Sequence, residues 1–234
     1  MDLEPNAIKA GLPPPRITRG LVITQSVLGL ILHLLLVVPF LRRTHGLARL
    51  QPSQRHLLVI NHVSLLDTLL IAPLCWRSGC YPILVLGDKN VWHASWVRRL
   101  LSRQTAFLLE RGKLNPNRIR ELQTFGRAGQ EFQLIVFPEG TRGDGVNVAS
   151  CQPGIYFIAQ AARIPIVPVF IENMQLISTK TGRFHLLRGW RKVEVHFGEP
   201  IAPENYLPMP REEFLAFVRR SIAATRTLDR GVLK

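Results

Sequence analysis

Five short apolar runs alternate with helix-like stretches through most of this 234-residue chain, and that alternation restricts the fold more than any other feature. Residues 56–60, 81–86, 105–109, 133–137 and 166–171 read as strands, because each is short and rich in apolar residues. Stretches 64–74, 91–101, 115–128 and 154–162 read as the helices between them. The third opens on Asn115-Pro116, a capping residue followed by proline at the first helical position. Residues 192–197 alternate as a further strand, and 210–227 form a last helix. Strands separated by helices predict an α/β fold with a mixed, largely parallel sheet flanked by helices. In such sheets, ligands bind where strands hand over to loops and helices. The length fits one domain with a substantial core.

An apolar segment precedes that domain. Residues 21–41 are long enough to cross a bilayer, which needs about 20 apolar residues, and Arg16, Arg19, Arg42 and Arg43 flank them. Residues 1–19 carry Pro5, Gly11, Pro13, Pro14 and Pro15 and read as a flexible leader, unlike a cleavable signal peptide. A single span and a hairpin lying in one leaflet both fit the segment. Cations at both ends leave its orientation open.

A net charge of +14 calls for an anionic partner. The basic residues scatter, and neither an aromatic sheet face nor a zinc-binding module accompanies them, so a membrane with anionic headgroups, and no nucleic acid, is the expected partner. Cys75, Cys80 and Cys151 are odd in number and lack metal-ligand spacing. They imply no disulfide framework, which favours a reducing, cytoplasm-facing location.

Two motifs carry chemistry. Asn61-His62-Val63-Ser64-Leu65-Leu66-Asp67 follows the first strand directly. An aspartate five residues after a histidine can fix its tautomer and support the imidazolium, leaving the other ring nitrogen to act as a general base. The same pair could instead cap the helix. Phe137-Pro138-Glu139-Gly140-Thr141-Arg142-Gly143-Asp144-Gly145 follows the fourth strand. Its glycines permit close approach of a ligand, and Arg142 offers a fork suited to phosphate. Glu139 would repel a phosphate, so a substrate hydroxyl or a neighbouring cation suits it better. A purely structural turn is the competing reading. No third ligand stands at metal spacing beside His62 and Asp67, and no nucleophile elbow surrounds Ser64, so neither a metal nor an acyl-enzyme is expected.

These motifs resemble those of the glycerolipid acyltransferase family, in particular the 1-acyl-glycerol-3-phosphate acyltransferases. Ala106-Phe107-Leu108-Leu109-Glu110-Arg111, Ile164-Pro165-Ile166-Val167-Pro168-Val169 and Val195-His196-Phe197-Gly198-Glu199-Pro200-Ile201 are similar to further family blocks and stand in the family's order. The resemblance covers about residues 55–202. It implies a membrane-associated O-acyltransferase of phospholipid synthesis that moves an acyl chain from coenzyme A or acyl carrier protein to the hydroxyl of lysophosphatidate, without cofactor. Together with the composition, this divides the chain into a leader at 1–19, a membrane-anchoring segment at 20–45 and a catalytic domain at 46–234. His62 would be the base and Asp67 its partner. Arg111 and Arg142 would hold the acceptor phosphate, with Glu139, Gly140 and Thr141 shaping that site. Lys89 or a backbone N–H near the first motif would stabilise the oxyanion.

One departure stands out. Gln152, ahead of Gly154, occupies a position where the family usually has a lysine. Loss of that cation admits another lysolipid acceptor, such as lyso-ornithine lipid. Arg98, Arg99 and Arg103 beside Trp92 and Trp96 suit either a segment that docks on an anionic membrane or a solvated cationic helix face with core tryptophans.

Overall fold

A computed structural model describes residues 19–52, 54–64, 66–88, 106–109, 123, 131–179, 183–185 and 187–231. The elements are helix α1 (Arg19–Phe40), β1 (Leu41–His45), β2 (His56–Ile60), α2 (Leu66–Arg77), β3 (Ile83–Asp88), β4 (Ala106–Leu109), β5 (Gln133–Val136), α3 (Gly154–Ala162), β6 (Ile166–Glu172), β7 (Val193–Phe197), α4 (Pro203–Tyr206) and α5 (Arg211–Gly231). The expected helices at 91–101 and 115–128 lie outside the described residues, as do Lys89, Trp92, Trp96, Arg98, Arg99, Arg103 and Arg111.

The strands form one seven-stranded sheet in the order β1-β7-β6-β2-β5-β3-β4. The five strands from β6 to β4 are mutually parallel. β7 runs antiparallel to β6, and β1 pairs parallel with β7, so the sheet is mixed and mostly parallel, as the sequence predicts. The register Glu172↔Glu194 and Leu41↔Val193 brings the starts of β1 and β7 to the edge where β6 ends.

Alternate residues of β2, β3, β5 and β6 feed two cores. Leu58, Ile60, Val85, Ile135, Val167 and Val169 pack toward α2 and the end of α1. Leu57, Val59, Leu84, Leu134, Val136 and Phe170 pack toward α3 and α5, whose Ile158, Phe214, Val218 and Ile222 face them. Burial on both faces explains why these strands read as unbroken apolar runs.

Two local readings are revised. The helix expected over 64–74 continues to Arg77 as α2, with Pro73 inside it. Burial of Leu70, Ile71, Leu74 and Cys75 outweighs the one hydrogen bond that proline removes. Residues 41–45, grouped with the anchoring segment on sequence, form edge strand β1. Its Arg42 and Arg43 are exposed, and such charges are what an edge strand uses against unwanted pairing, so the run does not look like a strand in sequence.

α1 lies along the domain. The buried Gln25 side chain donates to Ile83 O and accepts from Ile83 N–H, both at 2.8 Å. Gly29 sits against Trp76, and Val37 and Phe40 join the core. Ile23, Val27, Leu30, Ile31, Leu34 and Val38 form an exposed apolar stripe on the other side. The helix widens into a π turn at His33–Val37, which takes up the proline at position 39 that would otherwise clash with the preceding turn.

Candidate active site

The end of β2 is locked before the motif begins. Asn61 follows the strand, donates from Nδ2 to Ile171 O at 3.0 Å, and accepts from Ile171 N–H at 2.7 Å. This paired clamp on β6 sets where the chain leaves the sheet, and sequence reasoning assigned it no role.

His62 comes next. Its Nδ1 lies 2.9 Å from Asp67 Oδ2, which also accepts the N–H groups of Val63 at 2.7 Å and Ser64 at 2.9 Å. Asp67 is fully buried and sits in the first turn of α2, where the helix dipole favours a negative charge. Ser64 Oγ accepts the Leu66 N–H at 3.1 Å and serves as the local cap. Asp67 thus braces the loop through two N–H groups and holds the imidazole through the same oxygen. A carboxylate at Nδ1 places the proton there and leaves Nε2 as the basic nitrogen. The His62 side chain retains 17% exposure, so the ring is reachable.

The turn after β5 grips the same residue from the other side. Glu139 Oε1 accepts the His62 N–H at 2.8 Å, and Oε2 accepts the Ala149 N–H at 3.0 Å. Gly143 N–H donates to His62 O at 2.6 Å, and the His62 ring stacks on Phe137 with centroids 4.3 Å apart. The N–H, C=O and ring of His62 are thus all set by residues 137–143. Glu139 is 1% exposed, with both oxygens occupied by backbone donors. In this arrangement Glu139 holds the histidine loop in place. Burial pushes its carboxyl upward, opposed by the two N–H donors.

Gly140 turns the chain with φ +63°, and Gln152 Cγ would stand 2.8 Å from a Cβ placed there. Gln152 N–H also donates to Pro138 O at 2.7 Å, so the residue found where a lysine was expected lies directly over the turn. Thr141 is exposed and Arg142 half-buried on the same turn. The structure therefore unites His62, Asp67, Glu139, Gly140, Thr141 and Arg142, the residues of two motifs about 70 positions apart in the chain. Asn61, Phe137 and Gly143 complete the site. Their signal in the sequence was adjacency to the charged residues, which alone gives no contact.

Elsewhere, His45 Nε2 lies 3.1 Å from Glu194 Oε2, and the His45 and His196 rings stack at 4.4 Å with planes 2° apart. An ion in the plane of one ring would lie out of the plane of the other. Arg42 also pairs with Glu194, at 3.4 Å. This geometry favours a stacked ion-pair cluster over a metal centre.

The acyltransferase family model matches residues 41–172. The 1-acyl-sn-glycerol-3-phosphate acyltransferase of Saccharomyces cerevisiae is 28% identical over 178 residues, covering 73% of this chain and 55% of the relative. A probable 1-acyl-sn-glycerol-3-phosphate acyltransferase of Mycoplasma pneumoniae is 26% identical over 179 residues, covering 74% and 67%. The chain thus spans little more than half the length of the yeast relative. A solved structure of the 1-acyl-sn-glycerophosphate acyltransferase of Thermotoga maritima shares the fold, with a TM-score of 0.64 and 21% identity over 89% of this chain and 79% of that one. With the matched segment running from β1 through both motifs to the end of β6, the chain belongs to the acyltransferase family.

Proposed function

We propose that this protein transfers an acyl chain from an acyl thioester to the free hydroxyl of lysophosphatidate, giving phosphatidate. The observation that carries the reading is His62, tied through Nδ1 to buried Asp67 and reachable beside the turn that bears Arg142. His62 Nε2 takes the hydroxyl proton as the oxygen attacks the thioester carbonyl. The tetrahedral adduct collapses, the thiolate leaves, and the imidazolium returns the proton to it. Base catalysis of this kind contributes about 10²–10⁴-fold. Arg142 and Arg111 hold the acceptor phosphate, and Lys89 or a loop N–H meets the oxyanion. The donor is acyl-CoA or acyl carrier protein, and no metal or cofactor takes part.

The catalytic domain faces the cytoplasm, with α1 as its anchor. Protein contacts run along one side of α1 from Leu21 to Phe40 and the apolar stripe along the other. That division supports a helix seated in one leaflet beside its domain more than a lone span.

Gln152 favours a second acceptor reading. A neutral amide lies over the Gly140 turn where a cation would strengthen a phosphate site, so a lysolipid with less need of phosphate contacts, such as lyso-ornithine lipid, also fits.

The test is acyl transfer by detergent-solubilised wild type and His62→Ala, with acyl-CoA or acyl carrier protein as donor. The acceptors are lysophosphatidate, lyso-ornithine lipid and lysophosphatidylglycerol. Preference for lysophosphatidate, lost in the variant, is the expected result. Preference for another acceptor would move the substrate, and full activity in His62→Ala would overturn the mechanism.

A further inference from the structure

We propose that residues 183–185 and 187–192 form a second membrane-seating element, inserting Phe184, Leu187 and Trp190 into an anionic phospholipid surface beside α1. The inference rests on the reading of α1 as the membrane anchor.

Three large apolar side chains stand out here. Phe184 is 59% exposed, Leu187 91% and Trp190 58%. Exposed Arg183, Arg188, Arg191 and Lys192 interleave with them, and no acidic residue occurs between Glu172 and Glu194. Aromatic and aliphatic side chains among cations are the composition of a membrane–water interface, where rings sit at headgroup depth and cations meet anionic lipid.

The loop backbone is pinned, so these side chains are held outward. His185 N–H donates to Ile177 O at 2.7 Å, and Arg188 N–H to His185 O at 3.2 Å. Lys192 N–H donates to Gly189 O at 3.1 Å, and Asn173 Nδ2 donates to Lys192 O at 3.0 Å. Gly189 is buried against Ile177 so closely that a Cβ would overlap that side chain.

The loop is continuous with the end of α1. Arg191 N–H donates to Pro39 O at 2.9 Å, and Trp190 meets Phe40 edge-on with centroids 6.5 Å apart. It enters β7, whose start lies at the sheet edge where β6 ends, and Ile171 of β6 is clamped there by Asn61, the neighbour of His62. Seating this loop on the leaflet that holds α1 brings the His62 edge of the sheet toward the lipid surface. A second copy of the chain is a poor occupant, because a self-complementary contact would set these cations against their own copies.

The test uses full-length protein reconstituted into vesicles with brominated acyl chains, either phosphatidylcholine alone or equimolar phosphatidylcholine and phosphatidylglycerol. The difference in tryptophan fluorescence between wild type and Trp190→Phe isolates Trp190 while keeping a ring against Phe40. The proposal expects strong quenching of that component, deeper with phosphatidylglycerol. In Arg183→Gln/Arg188→Gln/Lys192→Gln, each lost cation should lower the equilibrium for loop insertion about fivefold, the equivalent of about 1 kcal/mol. Unquenched Trp190 in protein that still floats with the vesicles would overturn the loop's role and leave the anchor standing. Failure of wild type to float would overturn both. Quenching indifferent to phosphatidylglycerol and to the three substitutions would overturn the anionic partner. Loss of the Trp190 signal change together with dimers in detergent would assign the surface to a second copy and also overturn the proposal.

Discussion

Glu139 accepts the backbone N–H of His62 at 2.8 Å, so an acid of the second motif holds the base of the first in place. The same carboxylate takes the Ala149 N–H, and its burial leaves it no surface for a substrate. The two motifs are therefore parts of one device, in which the turn after β5 decides where the histidine after β2 stands.

Glu139→Gln should lower kcat about tenfold, the cost of one weakened charge-assisted hydrogen bond, with the acceptor KM nearly unchanged. A glutamine has one accepting oxygen for two N–H donors, so one donor is left facing an amide N–H₂. Steady-state kinetics against the acceptor checks this. A raised KM at unchanged kcat would return Glu139 to substrate binding.

Asp67→Asn should keep the loop folded and lower kcat on the order of 10²–10⁴-fold, since the carboxylate charge that supports the imidazolium is lost. Asparagine can still accept the Val63 and Ser64 N–H groups, so thermal stability should fall less than activity. A variant that loses its fold in step with its turnover would show Asp67 to be a structural cap.

Gly140→Ala should destabilise by about 1–2 kcal/mol from left-handed backbone strain alone, and more from the contact with Gln152 Cγ. Adding Gln152→Ala should remove the steric part and leave the backbone part. Urea unfolding of both variants separates the two, and an undiminished loss in the double variant would rule out the Gln152 contact.

His56 supplies a pH dependence outside the site. Gln133 Nε2 donates to Gln54 O, so Gln133 Oε1 is the acceptor that His56 Nδ1 faces at 2.9 Å. The proton thus sits on Nδ1, and buried Nε2 has no hydrogen-bond partner among the described residues. Burial holds the His56 pKa below 6.5, opposed by the Gln133 bond. The unfolded chain therefore binds the extra proton first as pH falls. Stability from neutral His56 is complete above pH 6.5 and lost as pH drops below it toward the folded-state value. Urea midpoints of wild type and His56→Gln between about pH 7.5 and 5.5 should diverge in slope, with the variant flatter. Parallel slopes would exclude His56 as the source.

The apolar runs at 56–60, 133–137 and 166–171 foretold their strands because central parallel strands are buried on both faces and need nothing but apolar side chains. His62 and Asp67 were legible for a similar reason: five residues across the start of a helix is a local distance that the helix itself closes. Edge strand β1 was hidden, because its residues Leu41-Arg42-Arg43-Thr44-His45 carry the charges that protect an edge, and only pairing with β7, about 150 residues later, makes them a strand. The role of Glu139 was hidden likewise. A glutamate beside an arginine in a glycine turn reads as a ligand contact, and its true partners, the N–H groups of His62 and Ala149, become neighbours only when β2 and β5 pair in the sheet. Local spacing along the chain thus fixed which groups could do chemistry, while the register between strands decided which of them hold the others in place.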